Sequence, residues 1–167
     1  MHPASKRNGV RESGARKKSM AKFIGEYTAK IDDKGRVVFP SPLKAQATEP
    51  DLRFVIKKAL WGACLEMYTF AEWERQSEEI NATLNPLKEK DVTFWRAYTR
   101  GRAIVEPDGK LGRISIPKTL LESIGAGKEL VFCGSDHKIE IWSKEQFEKS
   151  TLTNEEFISL TESLFEK

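Results

Sequence analysis

Apolar and polar residues alternate with a period of two in short stretches, each closed by turn-forming residues. Residues 26–31 and 36–39 read as two short strands around a tight turn. Asp32 can hydrogen-bond the backbone ahead of it there, and Gly35 takes a positive φ without a steric penalty. Ser41-Pro42 follows as a helix start, serine as N-cap and proline at N1, with the helix ending near residue 48 before Pro50. Residues 53–57 and 64–68 form a second strand pair across a loop holding Gly62. The period then lengthens. Phe70, Trp73, Ile80 and Leu84 share a helical face up to Asn85-Pro86, and Val92, Trp95 and Thr99 at i, i+3, i+7 predict a helix over 88–100.

After residue 100 the pattern restarts. Asp32-Asp33-Lys34-Gly35-Arg36-Val37-Val38-Phe39-Pro40 returns as Asp108-Gly109-Lys110-Leu111-Gly112-Arg113-Ile114-Ser115-Ile116-Pro117. Strands over 103–106 and 114–116 flank the second turn, and a short helix over 118–124 closes on Gly125 as a C′ glycine. A strand pair over 129–133 and 138–142 precedes a helix begun by Ser143 and Gln146 in capping-box spacing. Leu65-Glu66-Met67-Tyr68 answers Ile139-Glu140-Ile141-Trp142, so the duplication extends beyond the turn and implies two like-folded halves. The organisation expected is a basic extension over 1–19, a first unit over 24–75, a helical linker over 76–100, a second unit over 101–149 and a C-terminal amphipathic helix over 150–167. In that last helix Phe157, Leu160 and Leu164 form a stripe, expected to pack on its own protein, on a sister subunit, or on a dedicated partner helix.

Charge sharpens this picture through its placement. The chain has 28 basic and 25 acidic side chains, a net +3. Residues 1–19 hold Lys6, Arg7, Arg11, Arg16, Lys17 and Lys18 against Glu12, or +5, which leaves −2 for the rest. Any polyanion site on the body must therefore be local. The extension has no apolar core of a secretory signal, and its composition reads as disordered. It is either a nucleic-acid arm or a tail of no specific role. No apolar run approaches the length of a membrane span.

Catalytic chemistry finds no foothold. His2 and His137 are isolated, and Cys64 and Cys133 have neither zinc spacing nor a histidine partner; they read as free thiols of a reducing cytoplasm. Gly101, Gly109 and Gly112 lack the Lys-Ser/Thr of a phosphate loop. No enzyme, metal, cofactor or small-molecule substrate is expected.

The β-turn-β unit with Asp-x-x-Gly-Arg, then a proline-led helix and a second hairpin, resembles the SpoVT–AbrB family of bacterial DNA-binding folds. Two such units, with Phe23-Ile24-Gly25-Glu26-Tyr27 at the opening and linking helices between, resemble the MraZ family over roughly residues 22–149. The resemblance implies an α+β, mainly β fold: a swapped-hairpin β-barrel built from both halves with short helices around it. It also implies a cytoplasmic, nucleoid-associated transcriptional regulator of the division and cell-wall gene cluster, working as a ring of subunits whose turn arginines face DNA. By position, Asp32, Lys34, Gly35 and Arg36 match the family's first motif. The second departs: Gly109 stands four before Arg113, Asp108 stands five before it, and Pro107 precedes, which reads as a bulge or a lengthened turn.

The residues suit that expectation. An arginine just after a turn glycine projects a planar donor fork that fits phosphate or the O6/N7 edge of guanine. Arg36 and Arg113 are thus the expected DNA contacts, with Lys34 and Lys110 adding phosphate attraction and Asp32, Gly35, Asp108 and Gly112 positioning the turns. Repetition of these tips around an oligomer would turn weak contacts into avidity. The plainer reading of Asp32 and Arg36 is a surface ion pair that steadies a turn. Arg100 and Arg102 read either as a further basic spot or as charges stabilising a helix C-terminus. A different function class is an assembly module whose arginine tips face acidic protein partners, motivated by the net-acidic body and by aromatic residues (Trp61, Trp73, Trp95, Trp142) that otherwise read as core and subunit interface. RNA binding is a third, disfavoured because stacking aromatics do not cluster near the tips.

Overall fold

The computed structural model describes residues 21–166 of the chain; the basic extension over 1–19 lies outside the described residues. Its elements run β1 (Phe23–Lys30), β2 (Arg36–Val38), α1 (Ser41–Gln46), β3 (Phe54–Lys58), β4 (Cys64–Thr69), α2 (Phe70–Ala82) and α3 (Glu89–Thr99). They continue with β5 (Ala103–Val105), β6 (Arg113–Ser115), α4 (Lys118–Ser123), β7 (Glu129–Asp136), β8 (Lys138–Ser143), α5 (Lys144–Lys149) and α6 (Asn154–Phe165). The architecture is α+β. A six-stranded antiparallel sheet has the order β1-β7-β8-β4-β3-β5, and β2 and β6 form a separate two-stranded ribbon.

The strand order shows what the duplication does. Exchanging each strand for its counterpart in the other half (β1 for β5, β2 for β6, β3 for β7, β4 for β8) reverses the order onto itself. The strands flanking each motif turn do not form the local hairpin that turn chemistry predicts. β1 pairs with β7 from Phe23↔Asp136 to Lys30↔Glu129, β5 pairs with β3, and β2 pairs with β6. Across the first turn the β1 end meets β2 at the isolated bridge Ile31↔Val37.

The expected closed barrel is not present among the described residues: β1 and β5 are open edges of the sheet. Closure would require both edges to run on into the ribbon. β5 stops at Val105, ahead of Pro107, which has no N–H to donate to a ladder.

The sheet's inner face, the ribbon and helices α1 and α4 enclose one hydrophobic core drawn from both halves, including Phe23, Leu43, Phe54, Leu65, Leu120 and Phe132. Phe39 lies 5.3 Å from Phe54 in an edge-on arrangement and 6.0 Å from Phe132, so one ring from the first repeat bridges strands of both. The proline of each repeat caps the following helix. Pro40 O accepts from the Leu43 and Lys44 N–H groups, and Pro117 O from those of Leu120 and Leu121. Ser41 is therefore the first helical residue, one step inside the cap position its side chain suggests, and it makes no capping bond. At the end of α4, Ala126 N–H donates to Leu121 O and Gly125 N–H to Glu122 O, with Gly125 at φ +64°; this is a Schellman closure. Thr69 and Ser143 cap α2 and α5 through their hydroxyls.

β7 approaches β1 too closely for a side chain at one point. A Cβ on Gly134 would overlap the backbone of Phe23 and Ile24. Gly134→Ala is expected to lower stability by about 1–3 kcal/mol through backbone displacement. The check is the urea midpoint together with amide exchange along β1; an unchanged midpoint would show that the two strands can separate freely.

On the sheet's outer face, α2 and α3 cover β3 and β4 through Val55, Tyr68, Trp73 and Tyr98. Beneath them lies a charged cluster. Lys57 is fully buried, with its ammonium 4.0 Å from the Tyr98 ring centroid and 3.8 Å from Glu66 Oε1. Tyr68 Oη donates to Glu66 Oε1 and Lys138 Nζ to Glu66 Oε2, each at 2.8 Å. Burial alone would raise the Glu66 pKa, but the Lys138 and Tyr68 hydrogen bonds and the Lys138 and Lys57 charges outweigh it and hold it below 4.5. Lys57 donates to the Lys58 carbonyl at 2.7 Å and reaches Glu66 only at the longer distance, and burial draws its pKa down. Cys64 and Cys133 are free and buried, and burial pushes both thiols up to about 12, so neither is a nucleophile at neutral pH.

Candidate nucleic-acid interface

The β2–β6 ribbon carries both expected arginines. Its register pairs Arg36 with Ser115, Val37 with Ile114 and Val38 with Arg113. Val37 and Ile114 point inward and are buried in the core, so the residues on either side point outward. Arg36, Val38, Arg113 and Ser115 therefore share one face, with the two arginines at diagonal corners. Such corners are separated by about 7–8 Å.

Equivalent hydrogen bonds extend the ribbon at both ends, Phe39 N–H to Gly112 O and Ile116 N–H to Gly35 O. The two motif turns thus lie at opposite ends of one ribbon that is anchored from beneath.

At the first turn Asp32 Oδ1 accepts from the backbone N–H groups of Lys34 and Arg36, each at 2.9 Å, and Oδ2 accepts from Arg36 Nε at 2.8 Å. The Arg36 backbone bond, then its side chain and the Lys34 amide, lower the Asp32 pKa. Gly35 sits at φ +81°, where a Cβ would press on Ile116 O, so this turn requires glycine. Asp32 holds only the Nε edge of Arg36. The two Nη groups have no partner among the described residues, and about two-fifths of the side chain is exposed. The surface ion pair that the plainer reading expected is present, and it also aims the arginine.

The second turn is built differently. Asp108 and Arg113 exchange both backbone hydrogen bonds, whereas Asp32 N–H bonds Arg36 O, so the second turn is one residue longer. Gly35 N–H donates to Asp32 O and Gly112 N–H to Gly109 O. In space, therefore, Lys34 corresponds to Leu111, and Lys110 to Asp33, although sequence order aligns the two lysines. Among the described residues the Asp108 carboxylate makes no ion pair with Arg113, whose side chain is exposed. Lys34 and Lys110 are exposed as well.

Two cations escape sequence reasoning because other elements bring them in. Lys44 of α1 lies against Gly112, and Lys118 of α4 lines a concavity of about 310 Å³ with Asp32, Asp33 and Lys34. Each short helix thus serves the turn of the opposite half, which no local window reveals. Arg102 stands elsewhere: its guanidinium donates to Thr99 O at the end of α3 and lies 5.8 Å from the Trp73 ring centroid. That placement favours helix-end stabilisation over a basic spot.

Among the described residues no group of three or more His, Cys, Asp or Glu side chains could hold a metal ion, and no helix is long and apolar enough to cross a membrane.

Comparison with known proteins agrees with the duplication. The family described as "MraZ protein, putative antitoxin-like" matches twice, over residues 22–94 and 99–166. A protein of Christiangramia forsetii named "Transcriptional regulator MraZ" is 38% identical over 146 residues, covering 86% of this chain and 92% of its own length. Proteins of the same name from Flavobacterium psychrophilum and Bacteroides thetaiotaomicron are 37% and 32% identical. They cover 78% and 83% of this chain, and 83% and 88% of their own lengths. With both repeats matched and relatives aligned over most of their lengths, the chain belongs to the MraZ family.

Proposed function

We propose that this chain is a transcriptional regulator that reads double-stranded DNA with the outward face of the β2–β6 ribbon, acting in the cytoplasm on the nucleoid. The observation that carries the reading is the common orientation of Arg36 and Arg113 on a ribbon locked to the core by Val37 and Ile114. A two-stranded ribbon fits the major groove. Corners about 7–8 Å apart span roughly two base steps of 3.4 Å. Arg36, held at Nε, offers its free fork to one guanine. Arg113, not held by Asp108, takes a second base or a phosphate, with Lys34, Lys44 and Lys110 on flanking phosphates. Units over 24–75 and 101–149 contribute one arginine each, and the linker over 76–100 stands clear of the ribbon.

One ribbon on a body of net charge −2 binds weakly. A ring of subunits presenting successive ribbons to repeated promoter sites, those of the division and cell-wall gene cluster in the family resemblance, multiplies the contacts. The relatives' name supports the regulatory role.

The test is selection of bound duplexes from a random library, followed by anisotropy titrations of the winners at several salt concentrations. Short motifs recurring at fixed spacing are expected. With 6–10 phosphates neutralised per complex, affinity should fall about 10³–10⁵-fold between 50 and 200 mM salt. Failure to enrich any sequence, with binding indifferent to salt, would favour an assembly module that meets acidic protein surfaces.

A further inference from the structure

We propose that the ribbon selects a thymine at the base step beside Arg113, with the Val38 methyl groups set against the thymine C5-methyl, and makes no such demand beside Arg36. The inference rests on the reading of the β2–β6 face given above and deepens it by naming a base and the residue that selects it.

The register puts Val38 directly across from Arg113, and Ser115 directly across from Arg36. Phe39 N–H donates to Gly112 O and Ile116 N–H to Gly35 O, so the hydrogen-bonded positions of the ribbon are the inward ones. The two outward pairs are therefore the close, non-hydrogen-bonded kind, with Cβ atoms about 4.5–5.5 Å apart. Val38 is thus the immediate neighbour of Arg113, little more than one base step of about 3.4 Å away.

Core packing does not account for Val38. Val37 and Phe39 on either side of it turn into the core, whereas Val38 is 41% exposed on the face that carries the arginines. The second turn adds Leu111, 60% exposed, in the place where the first turn carries Lys34, and Leu111 lines a small concavity with Arg113. One end of the ribbon therefore joins an arginine to two apolar side chains. The other joins an arginine to a hydroxyl and a lysine.

Base chemistry separates the two ends. In the major groove thymine presents a methyl group on C5, and apolar side chains recognise it. Valine is short, so it touches only what projects from the base edge, and the C5-methyl projects. Burying that methyl against Val38 is favourable. A cytosine there offers an N4 donor that valine cannot accept and would strip of water. Serine both donates and accepts, so Ser115 tolerates either class of base. A ribbon with two like arginines thus reads an asymmetric site, which gives each subunit one direction along the duplex.

The experiment uses the full chain and a selected duplex in which each thymine in turn is replaced by deoxyuridine, which lacks only the methyl group. Anisotropy should show one position per ribbon site where wild-type affinity falls about four-fold for each protomer engaged, the effect of one buried methyl group. Val38→Ser should bind the thymine and deoxyuridine duplexes equally, and Ser115→Val should acquire a second sensitive position on the Arg36 side. Replacing guanine by 7-deazaguanine removes the N7 acceptor and reads the arginine contacts separately. Circular dichroism and the urea midpoint verify folding. A valine that only supports its strand would move the midpoint and leave every thymine indifferent to its methyl. Selective binding that responds to 7-deazaguanine but to no deoxyuridine, or a methyl effect that persists in Val38→Ser, would overturn the role of Val38 and leave the ribbon reading standing. Absence of sequence-selective binding would overturn that reading, and this inference with it.

Discussion

Arg36→Ala is expected to lower affinity for a selected duplex by about 5–150-fold per protomer engaged, the equivalent of one lost bidentate contact of roughly 1–3 kcal/mol. Where several protomers hold one DNA the losses compound, and specific binding should fall to the non-specific level. The physical basis is pre-organisation. Asp32 fixes Nε, the turn fixes the backbone, and the free Nη fork is presented without ordering a flexible side chain on binding. Arg113→Ala should do less, because no carboxylate among the described residues holds Arg113 before DNA arrives. Arg36→Lys separates the two ways an arginine can act. A lysine keeps the charge and loses the fork, so it should retain the salt dependence while losing discrimination between bases. Anisotropy against cognate and scrambled duplexes reads both, and light scattering should find the assembly unchanged. Wild-type affinity in Arg36→Ala would remove this residue from recognition and leave the Asp32 pair as a turn support.

Glu66→Gln is the second large effect, and it falls on stability. Its carboxylate is the acceptor shared by Lys138 and Tyr68 and the nearest negative charge to the buried Lys57. Neutralising it strands Lys57 in a low-dielectric layer with only the Tyr98 ring and the Lys58 carbonyl. Lys138 retains Glu140 at 3.7 Å. Breaking a buried pair from one side costs about 3–5 kcal/mol, which the urea midpoint would register directly.

The sign with pH follows. Because the folded pKa of Glu66 is held below 4.5, its contribution is complete above that pH and is lost as pH falls through the folded value. Below pH 4.5 the wild type should therefore lose stability faster than the variant. Lys57→Met in the Glu66→Gln background removes the stranded charge and should recover much of the loss. If the two substitutions instead add, the cluster is not a coupled unit.

Residue pattern alone located the elements because each local signal was strong. Alternation marked the strands, and helical spacing and caps marked α2, α3 and α5. Paired Gly-Arg turns marked the arginines that now share one face. The barrel expectation failed for a local reason that sequence had displayed without settling. Pro107 and the extra residue before Arg113 end β5 early and lengthen the turn, so the edges stay open. Ser41 was misplaced because a serine beside a proline looks like a cap, whereas the preceding Pro40 carbonyl accepts the first helical bonds.

Partner choice was not legible in the residue pattern, and only the family resemblance implied an exchange of strands between the halves. A strand's alternation says that it has an inside and an outside, and nothing about which strand lies beside it. That β1 joins β7, β5 joins β3 and the two repeats meet in one ribbon depends on contacts made across most of the chain. The same holds for Lys44 and Lys118, carried to the turns by helices of the opposite half, and for Lys57 and Lys138, which converge on Glu66 from different strands. Periodicity and turn chemistry act over a few residues, and so the amino-acid order by itself determined the pieces, their amphipathic faces and the duplicated turns. Long-range packing of two incomplete halves into a single core decided which pieces pair, and with that the common direction of the two arginines.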